Sequence, residues 1–294
     1  MITIVTPTYN RTKYLPRLYT SLIKQTNMNF EWIVVDDGSI DDTEGLIKDF
    51  KNENIINIIY LKKENGGKHT ALNLGVELSN FPYIFIVDSD DTLPENSIKV
   101  IIEKIEEASL RADYKTIAGI CGNKANLNGQ VVGNVMDDEI VCSYMDFRYK
   151  YEISGDKAEV FKTEILKKYR FPVFDNEKFC PEALIWNRIS KNYDMYFFNK
   201  TIYFCEYLEG GLTDQILIVR KKSPNATLLY YYELSECYKI KFKYRVRGYL
   251  NYWRFFYISN KNNIKKEIKF PEGFVSFLCK FFVLFLFYLG FLKR

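Results

Sequence analysis

Four short polar clusters hold most of the residues that could do chemistry, and the most acidic of them is Asp88-Ser89-Asp90-Asp91. It directly follows Tyr83–Val87, an apolar segment with the composition of a buried strand. Two carboxylates at positions i and i+2 after a strand can share a hard cation such as Mg²⁺ or Mn²⁺, which prefers oxygen ligands and bridges to phosphates. The structural alternative is an acidic turn in which Asp91 or Thr92 caps the next helix.

The other three clusters also follow apolar segments, and we call all four the strand-end clusters: Pro7-Thr8-Tyr9-Asn10-Arg11, Asp36-Asp37-Gly38-Ser39 and Asn65-Gly66-Gly67-Lys68. Gly66 and Gly67 allow the backbone to approach a ligand closely. Lys68 begins a predicted helix, where a cation is mildly unfavourable, so an anionic partner explains it better than an ordinary solvated lysine. Asp36 comes too early in the chain to cap the helix near Asp41, which favours a binding role for it.

Several common sites are excluded by the sequence. It contains neither GxxxxGK[ST] nor GxGxxG, so a P-loop and a dinucleotide-binding loop are not indicated. His69 is the only histidine, which rules out an HExxH zinc site, and we expect it at a helix surface or cleft rim. The acidic cluster begins like a calcium loop, but Leu93 stands where that loop requires glycine.

The elements that position the clusters are predicted from alternating apolar and amphipathic segments. Strands are expected at Ile2–Thr6, Trp32–Val35, Ile55–Leu61, Tyr83–Val87 and Ile117–Cys121, with helices between them. Such alternation predicts an α/β fold, a mostly parallel sheet covered by helices on both faces. Ligands bind at the carboxyl ends of the strands in such sheets, which is where all four strand-end clusters fall.

Later segments give weaker patterns. Gly129 and Gly133 suggest a hairpin around residues 131–132, and Ala183–Ile189 has helical spacing. Met195–Phe198 and Ile202–Tyr207 are expected to form a pair of strands.

With these motifs in order, the chain resembles the family 2 glycosyltransferases, which have the Rossmann-like, nucleotide-sugar-binding GT-A fold. The resemblance rests on the four strand-end clusters and Ala71-Leu72-Asn73, and covers about residues 1–125. It implies a nucleotide-sugar-binding half at 1–125 and an acceptor-binding, catalytic half of the same domain at 126–214. Residues 215–294 are expected to form a basic, aromatic, helical tail.

The resemblance also implies roles for individual residues. Pro7, Thr8 and Tyr9 would line the base pocket, with Tyr9 packed on uracil, and Asp36 would accept a hydrogen bond from the base. Lys68 would contact the diphosphate or sugar, and Asn73 would contact the ribose or pack on a loop. Asp90 would be the principal metal ligand and Asp88 the second. The remaining donor-binding residues would be Arg11, Gly67 and Ser89.

The resemblance implies transfer of a sugar with inversion, and this reaction needs a carboxylate that takes the proton of the acceptor hydroxyl. Family members commonly carry it in a Glu-Asp pair at the start of a late helix. Glu182 matches the Glu of that pair, whereas Ala183 replaces the Asp, so Asp156 and Asp175 remain alternatives. Gly210-Gly211-Leu212-Thr213 resembles the loop that family members fold over the donor.

The tail differs in charge from the rest of the chain. Residues 215–294 contain 16 Lys and Arg against 4 Asp and Glu, a net charge of +12, whereas residues 1–214 have a net charge of −8. Phe274–Leu292 is almost entirely apolar but is interrupted by Lys280, so it is short of the roughly 20 apolar residues of a membrane span. A helix lying in the membrane interface fits better, with a core helix or an oligomer interface as the alternatives. No nucleic-acid-binding module is recognisable.

The predicted function is therefore transfer of a sugar from a UDP-sugar, with Mn²⁺ or Mg²⁺, to a lipid-linked or polysaccharide acceptor at the cytosolic face of the membrane. Six scattered cysteines without a CxxC pair, and the absence of a secretory signal, favour a reducing compartment. Two other functions remain open. One is an inactive scaffold with the same fold, which Ala183 favours. The other is a nucleotidyltransferase, which would need a glycine-rich loop after the first strand, whereas Pro7–Arg11 contains no glycine.

Overall fold

The computed structural model describes residues 1–206 and 215–291. Its first half alternates strands and helices as predicted: β1 (Ile2–Thr8), α1 (Leu15–Ile23), β2 (Phe30–Asp36), α2 (Thr43–Glu53), β3 (Ile58–Lys62), α3 (Lys68–Leu78), β4 (Tyr83–Ile86) and α4 (Ser97–Ser109). The next part contains β5 (Ile117–Ala125), β6 (Ile140–Cys142), β7 (Lys157–Lys162), α5 (Thr163–Lys168), α6 (Glu182–Ile189) and β8 (Asp194–Phe204). Four α-helices follow within residues 215–291: α7 (Ile216–Lys222), α8 (Pro224–Ser235), α9 (Phe242–Ile258) and α10 (Phe274–Tyr288).

The strands form one mixed, mostly parallel sheet in the order β3-β2-β1-β4-β7-β5-β8-β6. β1 lies parallel to β2 and β4, and β2 lies parallel to β3, so the four strand-end clusters meet at one edge. β7 then runs antiparallel to both β4 and β5. The predicted α/β class with flanking helices is confirmed.

Helices on both faces bury the central strands completely, which explains why those strands are almost continuously apolar. On one face, Leu18 and Leu22 of α1 pack against Trp32 of β2 in the main core. On the other face, Leu72 of α3 packs in a second core with Val5 of β1. Leu22 is fully buried, so its replacement by alanine would cost roughly 2–5 kcal/mol.

Several boundaries differ from the predicted ones for identifiable reasons. β3 begins at Ile58 and not at residue 55, because Asn54 adopts a left-handed conformation (φ 53°) that ends α2. The expected strand pair at 195–207 is wrong: β8 is one continuous strand. Its register with β5 shifts between the pairs Cys121–Phe197 and Asn123–Thr201, so a bulge accommodates the polar break at Asn199.

The predicted hairpin around residues 131–132 is reduced to a single antiparallel bridge beside the turn at residues 126–130. The Asn126 amide donates to the Gln130 carbonyl, and Val131 makes only an isolated bridge to Ala125.

Helices α8, α9 and α10 pack on one another around a small core of their own, with Leu228, Tyr252, Trp253 and Phe255 buried. The Trp253 indole donates a hydrogen bond to Ser276 Oγ (3.1 Å) and so joins α9 to α10. Within the described residues no helix combines the length and the apolar character needed to cross a bilayer. The Gly210–Thr213 loop lies outside the described residues, as do residues 292–294.

Candidate functional site

The first two strand-end clusters interlock through hydrogen bonds. The Asp37 amide donates to the Thr8 carbonyl (2.8 Å), and the Asn10 amide donates to Ser39 Oγ (2.8 Å). The parallel register of β1 and β2, which pairs Thr8 with Asp36, brings these loops side by side. The two loops are therefore held together by hydrogen bonds at the carboxyl edge of the sheet.

Asp36 is fully buried, and both of its carboxylate oxygens have partners inside the protein. One oxygen accepts a hydrogen bond from the Ser39 amide (2.7 Å), and the other accepts one from the Tyr60 hydroxyl (2.7 Å). Burial and the neighbouring Asp36 carboxylate raise the pKa of Tyr60. The carboxylate thus shapes the loop after β2, and its predicted contact with a base would use the remaining lone pairs.

Asp37, which the sequence analysis did not select, holds the glycine loop. Its carboxylate accepts hydrogen bonds from the Gly66 amide (2.9 Å), the Gly67 amide (2.7 Å) and Lys63 Nζ (2.7 Å). Gly67 has a φ of +94°, and a Cβ there would lie 2.0 Å from the Lys178 carbonyl oxygen. The close approach that the glycine pair allows is therefore made, in this structure, by the chain's own backbone.

Lys68 joins two carboxylates that are far apart in the sequence. Its Nζ lies 2.6 Å from Asp88 Oδ1 and 2.9 Å from Glu182 Oε1. These two oxygens are buried and make no hydrogen bond elsewhere in the described part of the chain. Burial alone would lower the pKa of Lys68, but Asp88 and Glu182 raise it above its usual value, so the ammonium stays charged. The anionic partners of Lys68 in this structure are these two side chains, and its contact with a diphosphate or sugar stays a prediction.

The carboxylates of the acidic cluster have different surroundings. Asp91 is structural: it accepts hydrogen bonds from the Tyr203 hydroxyl (2.7 Å) and the Glu206 amide (3.1 Å). Asp90 lies 3.8 Å from a guanidinium nitrogen of Arg11 and is partly exposed. Burial and repulsion by Asp88 raise the pKa of Asp90. With Asp91 occupied in this way, Asp88 and Asp90 remain the predicted metal ligands of the cluster.

These two carboxylates fit a cation that takes its other ligands from a bound diphosphate and water. No group of three or more His, Cys, Asp or Glu in residues 1–206 and 215–291 could hold an ion alone. Mg²⁺ is commonly bound through one or two carboxylates together with substrate phosphates, which matches this donor set. A cation bound between the two carboxylates would offset the burial and the repulsion by Asp88 that raise the pKa of Asp90.

A small pocket, partly open to solvent, lies where Lys68 contacts Asp88 and Glu182, and these three residues line it; we call the contact the Lys68 bridge and the pocket the cleft. Its lining also contains residues that the sequence analysis missed: Lys124, Lys157, Glu159 and Trp186. Burial raises the pKa of Glu159 to about 7, and Glu182 adds to the effect. Lys124 Nζ lies 4.0 Å from the centre of the Tyr203 ring. The i, i+2 spacing of Lys157 and Glu159 on one strand face was the available signal.

Glu182 is the first residue of α6, where the helix dipole favours a carboxylate, and Pro181 precedes it in extended conformation. The two alternatives do not line the cleft. Asp156 is exposed, and Asp175 is exposed and pairs with Lys265 (2.9 Å). Of the three candidate bases, Glu182 alone reaches the cleft.

The expected base pocket remains a prediction. Pro7 and Thr8 are buried, and Thr8 Oγ1 has no hydrogen-bond partner in the described structure. The Tyr9 ring is 44% exposed and so is accessible for stacking. Ser89 is buried in the turn after β4.

Two residues of α3 are placed differently from the ligand-facing or rim positions considered for them. The Asn73 amide donates to the Phe171 carbonyl and accepts from the Phe171 amide (both 2.9 Å), so it packs on a loop, as the alternative interpretation held. His69 was expected at a surface or rim but is buried (2% exposed), and burial lowers its pKa to about 4. The expectation for His69 is wrong because α3 turns that position towards the interior.

The segment that carries Glu182 is fixed to the C-terminal helices. The buried Glu177 carboxylate accepts hydrogen bonds from the Asn225 amide (2.7 Å), Asn225 Nδ2 (2.6 Å) and the Ala226 amide (3.0 Å) at the start of α8. On α6 itself, Arg188 pairs with Glu233 of α8 (2.6 Å). Helix α8 therefore supports the candidate base through its contacts with Glu177 and Arg188, which lie on either side of Glu182 in the sequence.

Known proteins resemble this chain in both sequence and fold. A family model described as "Glycosyl transferase family 2" matches residues 3–151. The glycosyltransferase GlyG of Streptococcus pneumoniae is 36% identical over 108 residues, which are 36% of this chain and 36% of that protein. A Campylobacter jejuni protein named GalNAc(5)-diNAcBac-PP-undecaprenol beta-1,3-glucosyltransferase is 27% identical over 203 residues, 66% of this chain and 61% of the relative. The chain thus covers less than two thirds of either relative's length.

Solved structures share the fold at low sequence identity. Residues 1–349 of S. aureus TarS in complex with UDP-GlcNAc give a TM-score of 0.62 at 21% identity, covering 96% of this chain and 79% of that one. A mannosyltransferase from Pyrobaculum calidifontis in complex with GDP-Man and Mn²⁺ gives 0.59 at 15% identity, covering 87% and 72%. The sheet topology, the strand-end clusters and the family match over half of the sequence lead to one conclusion: this chain belongs to glycosyl transferase family 2.

Proposed function

We propose that the protein transfers a sugar from a UDP-sugar to an acceptor hydroxyl, with inversion and with the help of Mn²⁺ or Mg²⁺. The observation that carries the proposal is the Lys68 bridge, which places the donor-side Asp88 and the candidate base Glu182 in one cleft. If the donor and the acceptor meet there, Asp88 would lie on the donor side of the new glycosidic bond and Glu182 on the acceptor side.

A uridine nucleotide is the donor that the site supports best. Tyr9 has an accessible ring beside Thr8, and the related fold of TarS holds UDP-GlcNAc. Asp88 and Asp90 would hold the cation, which would neutralise the diphosphate as negative charge develops on it. When the donor binds, Lys68 would exchange its contact with the Asp88 carboxylate for a contact with a phosphate oxygen.

The proposed chemistry is a single displacement. The acceptor oxygen attacks the anomeric carbon while Glu182 takes the hydroxyl proton, and the bond between that carbon and the diphosphate oxygen breaks. Lys68 stabilises both the ionised Glu182 before the reaction and the departing diphosphate during it. Attack from the face opposite the leaving group inverts the anomeric centre.

We propose a lipid-linked or polysaccharide acceptor, reached at the cytosolic face of a membrane by a peripheral protein. The Campylobacter relative named above for an undecaprenol-linked acceptor supports this class. The donor sugar and the linkage would follow from residues such as Lys124 and Trp186, which line the cleft together with Glu182.

The test is UDP release from a panel of UDP-sugars with Mn²⁺, comparing the wild type with Glu182→Gln. The substitution should lower kcat by about 10²-fold or more with donor binding nearly unchanged. Glu164→Gln is a matched control, because Glu164 is also a first-turn glutamate of a short helix but is exposed and lies outside the cleft. Donor binding without turnover in the wild type would instead support the inactive scaffold, which Ala183 favours.

A further inference from the structure

Helix α10 exposes a continuous face of large apolar side chains, which we call the α10 outer face. Eight residues form it, each between 51% and 77% exposed: Phe274, Phe277, Leu278, Phe281, Phe282, Phe285, Tyr288 and Leu289. Their spacing of three and four residues keeps them on one side of the helix. The opposite side, with Ser276, Cys279 and Val283, is buried against the other helices.

Lys280 does not interrupt this face, contrary to the expectation from the linear sequence. Its Nζ lies 4.9 Å from the centre of the Trp253 ring on α9, so the side chain points towards the protein. The single charge within α10 is therefore held by a cation–π contact on the inner side. Isolated exposed apolar residues are ordinary, but a contiguous apolar ridge of this size marks an interaction surface.

Charge identifies the kind of partner. Described residues 215–291 contain 14 Lys and Arg against 4 Asp and Glu. Lys266 and Lys269 are exposed in the segment that leads into α10. Lys261 is exposed and lies 5.8 Å from the centre of the Tyr257 ring, which in turn contacts Phe287 of α10. Like charges would oppose pairing with a second copy of this chain, whereas a negatively charged surface would attract it.

We propose that the α10 outer face docks on an anionic lipid bilayer, with α10 lying in the interface and Lys261, Lys266 and Lys269 contacting headgroup phosphates. An apolar face with basic residues beside it is the pattern of helices that bind membrane surfaces without crossing them. This inference deepens the peripheral membrane location proposed above, because it names the docking face and the lipid charge that the face requires. It does not depend on the sugar transfer itself, because neither the face nor its lysines belong to the cleft.

Docking through α10 would also have a consequence for the cleft. α10 packs on α9 and α9 on α8, and the start of α8 holds Glu177 in the segment before Glu182. Helix α10, which would contact the bilayer, is thus linked through α9 to α8, the helix that supports the candidate base.

The test is sedimentation of the full chain with phosphatidylcholine vesicles, with and without phosphatidylglycerol. The wild type should bind the anionic vesicles, and high salt should weaken that binding while apolar contact retains part of it. Phe277→Ser/Phe281→Ser/Phe285→Ser should lower the partition coefficient at least about tenfold. Lys266→Glu/Lys269→Glu should lower it several-fold and reduce its dependence on salt.

Leu110→Ser/Leu127→Ser is the matched control, because these side chains are also exposed but lie elsewhere, and it should bind vesicles normally. Unchanged UDP affinity of each variant shows that it is folded. Failure of the wild type to bind anionic vesicles overturns the proposal. So does a triple variant that keeps vesicle binding, or one whose only defect is dissociation of an oligomer in sedimentation velocity.

Discussion

The strand-end clusters, which we call the donor-side loops after their proposed role, and the segment that carries Glu182 are held in place in different ways. The donor-side loops follow neighbouring parallel strands and are joined by hydrogen bonds within a loop, as from the Ser39 amide to Asp36, and between loops, as from the Gly66 amide to Asp37. The Glu182 segment lacks such a frame. Its position depends on Glu177, which reaches the start of α8 48 residues further along the chain.

This difference implies that donor binding and turnover can be disturbed separately. Damage to the strand-end clusters should weaken UDP binding, whereas loosening of α8 should lower turnover and leave UDP binding intact. Lys68 is where the two parts meet, since it contacts Asp88 on one side and Glu182 on the other.

The largest effect should come from the donor side alone. Asp90→Asn removes half of the carboxylate pair that would hold the cation, so Mn²⁺-dependent UDP affinity should fall on the order of 10³-fold. Isothermal titration with and without Mn²⁺ measures this. Asp113→Asn, at an exposed Asp outside the cleft, is the control, and an Asp90→Asn variant with normal metal dependence would show that the cation binds elsewhere.

Gly67→Ala should affect both parts, because its Cβ would meet the Lys178 backbone of the Glu182 segment at 2.0 Å. We expect a loss of about 3 kcal/mol in the free energy of unfolding, with both UDP affinity and kcat reduced. Gly129→Ala is the matched control: its φ is also positive (+82°), but its Cβ would meet nothing within 4 Å, and it should cost only about 1 kcal/mol. Equal losses from the two substitutions in chemical denaturation would mean that the contact with Lys178 does not matter.

Glu177→Ala should affect the base side alone. Without the carboxylate, two amides at the start of α8 lose their acceptor, so Glu182 is held less firmly and kcat should fall about tenfold with UDP affinity unchanged. Steady-state kinetics with separate UDP titration make the measurement. Asp175→Asn breaks an exposed ion pair two residues earlier and should change little. A parallel fall in UDP affinity would show that the two parts are not separable.

The smallest effect concerns the burial of His69 on the donor side. Burial lowers its pKa to about 4, so the unfolded chain binds a proton near pH 6.5 that the folded protein excludes. This contribution to stability is complete above the unfolded pKa and is lost as the pH falls towards 4. Between pH 7 and 5.5 the wild type should lose about 1 kcal/mol more stability than His69→Gln in chemical denaturation. Identical pH dependence of the two proteins would contradict the buried, neutral histidine.

The sequence was sufficient to predict the sheet and the strand-end clusters of the donor side. Apolar periodicity defines strands locally, and parallel pairing then brings their carboxyl ends together without further information. The start of α6 at Glu182 was also readable, since Pro181 and a first-turn glutamate are local signals.

What could not be predicted depends on contacts between distant residues. The pairing of Lys68 with Glu182, the clamp of Glu177 on α8 and the burial of His69 have no periodic signature. The inward orientation of Lys280 was missed because a linear run of apolar residues does not show which side of a helix meets the protein.

The central claim is that Lys68 couples the donor-side carboxylate to the base, and a double-mutant cycle on UDP-sugar turnover tests it most directly. The variants are Lys68→Met, Glu182→Gln and the pair together. Coupling through the 2.9 Å contact predicts that the double variant is little worse than the more damaging single variant, with an interaction energy above about 1 kcal/mol. Fully additive losses in the three variants would contradict the account, because they would show that Lys68 and Glu182 act independently.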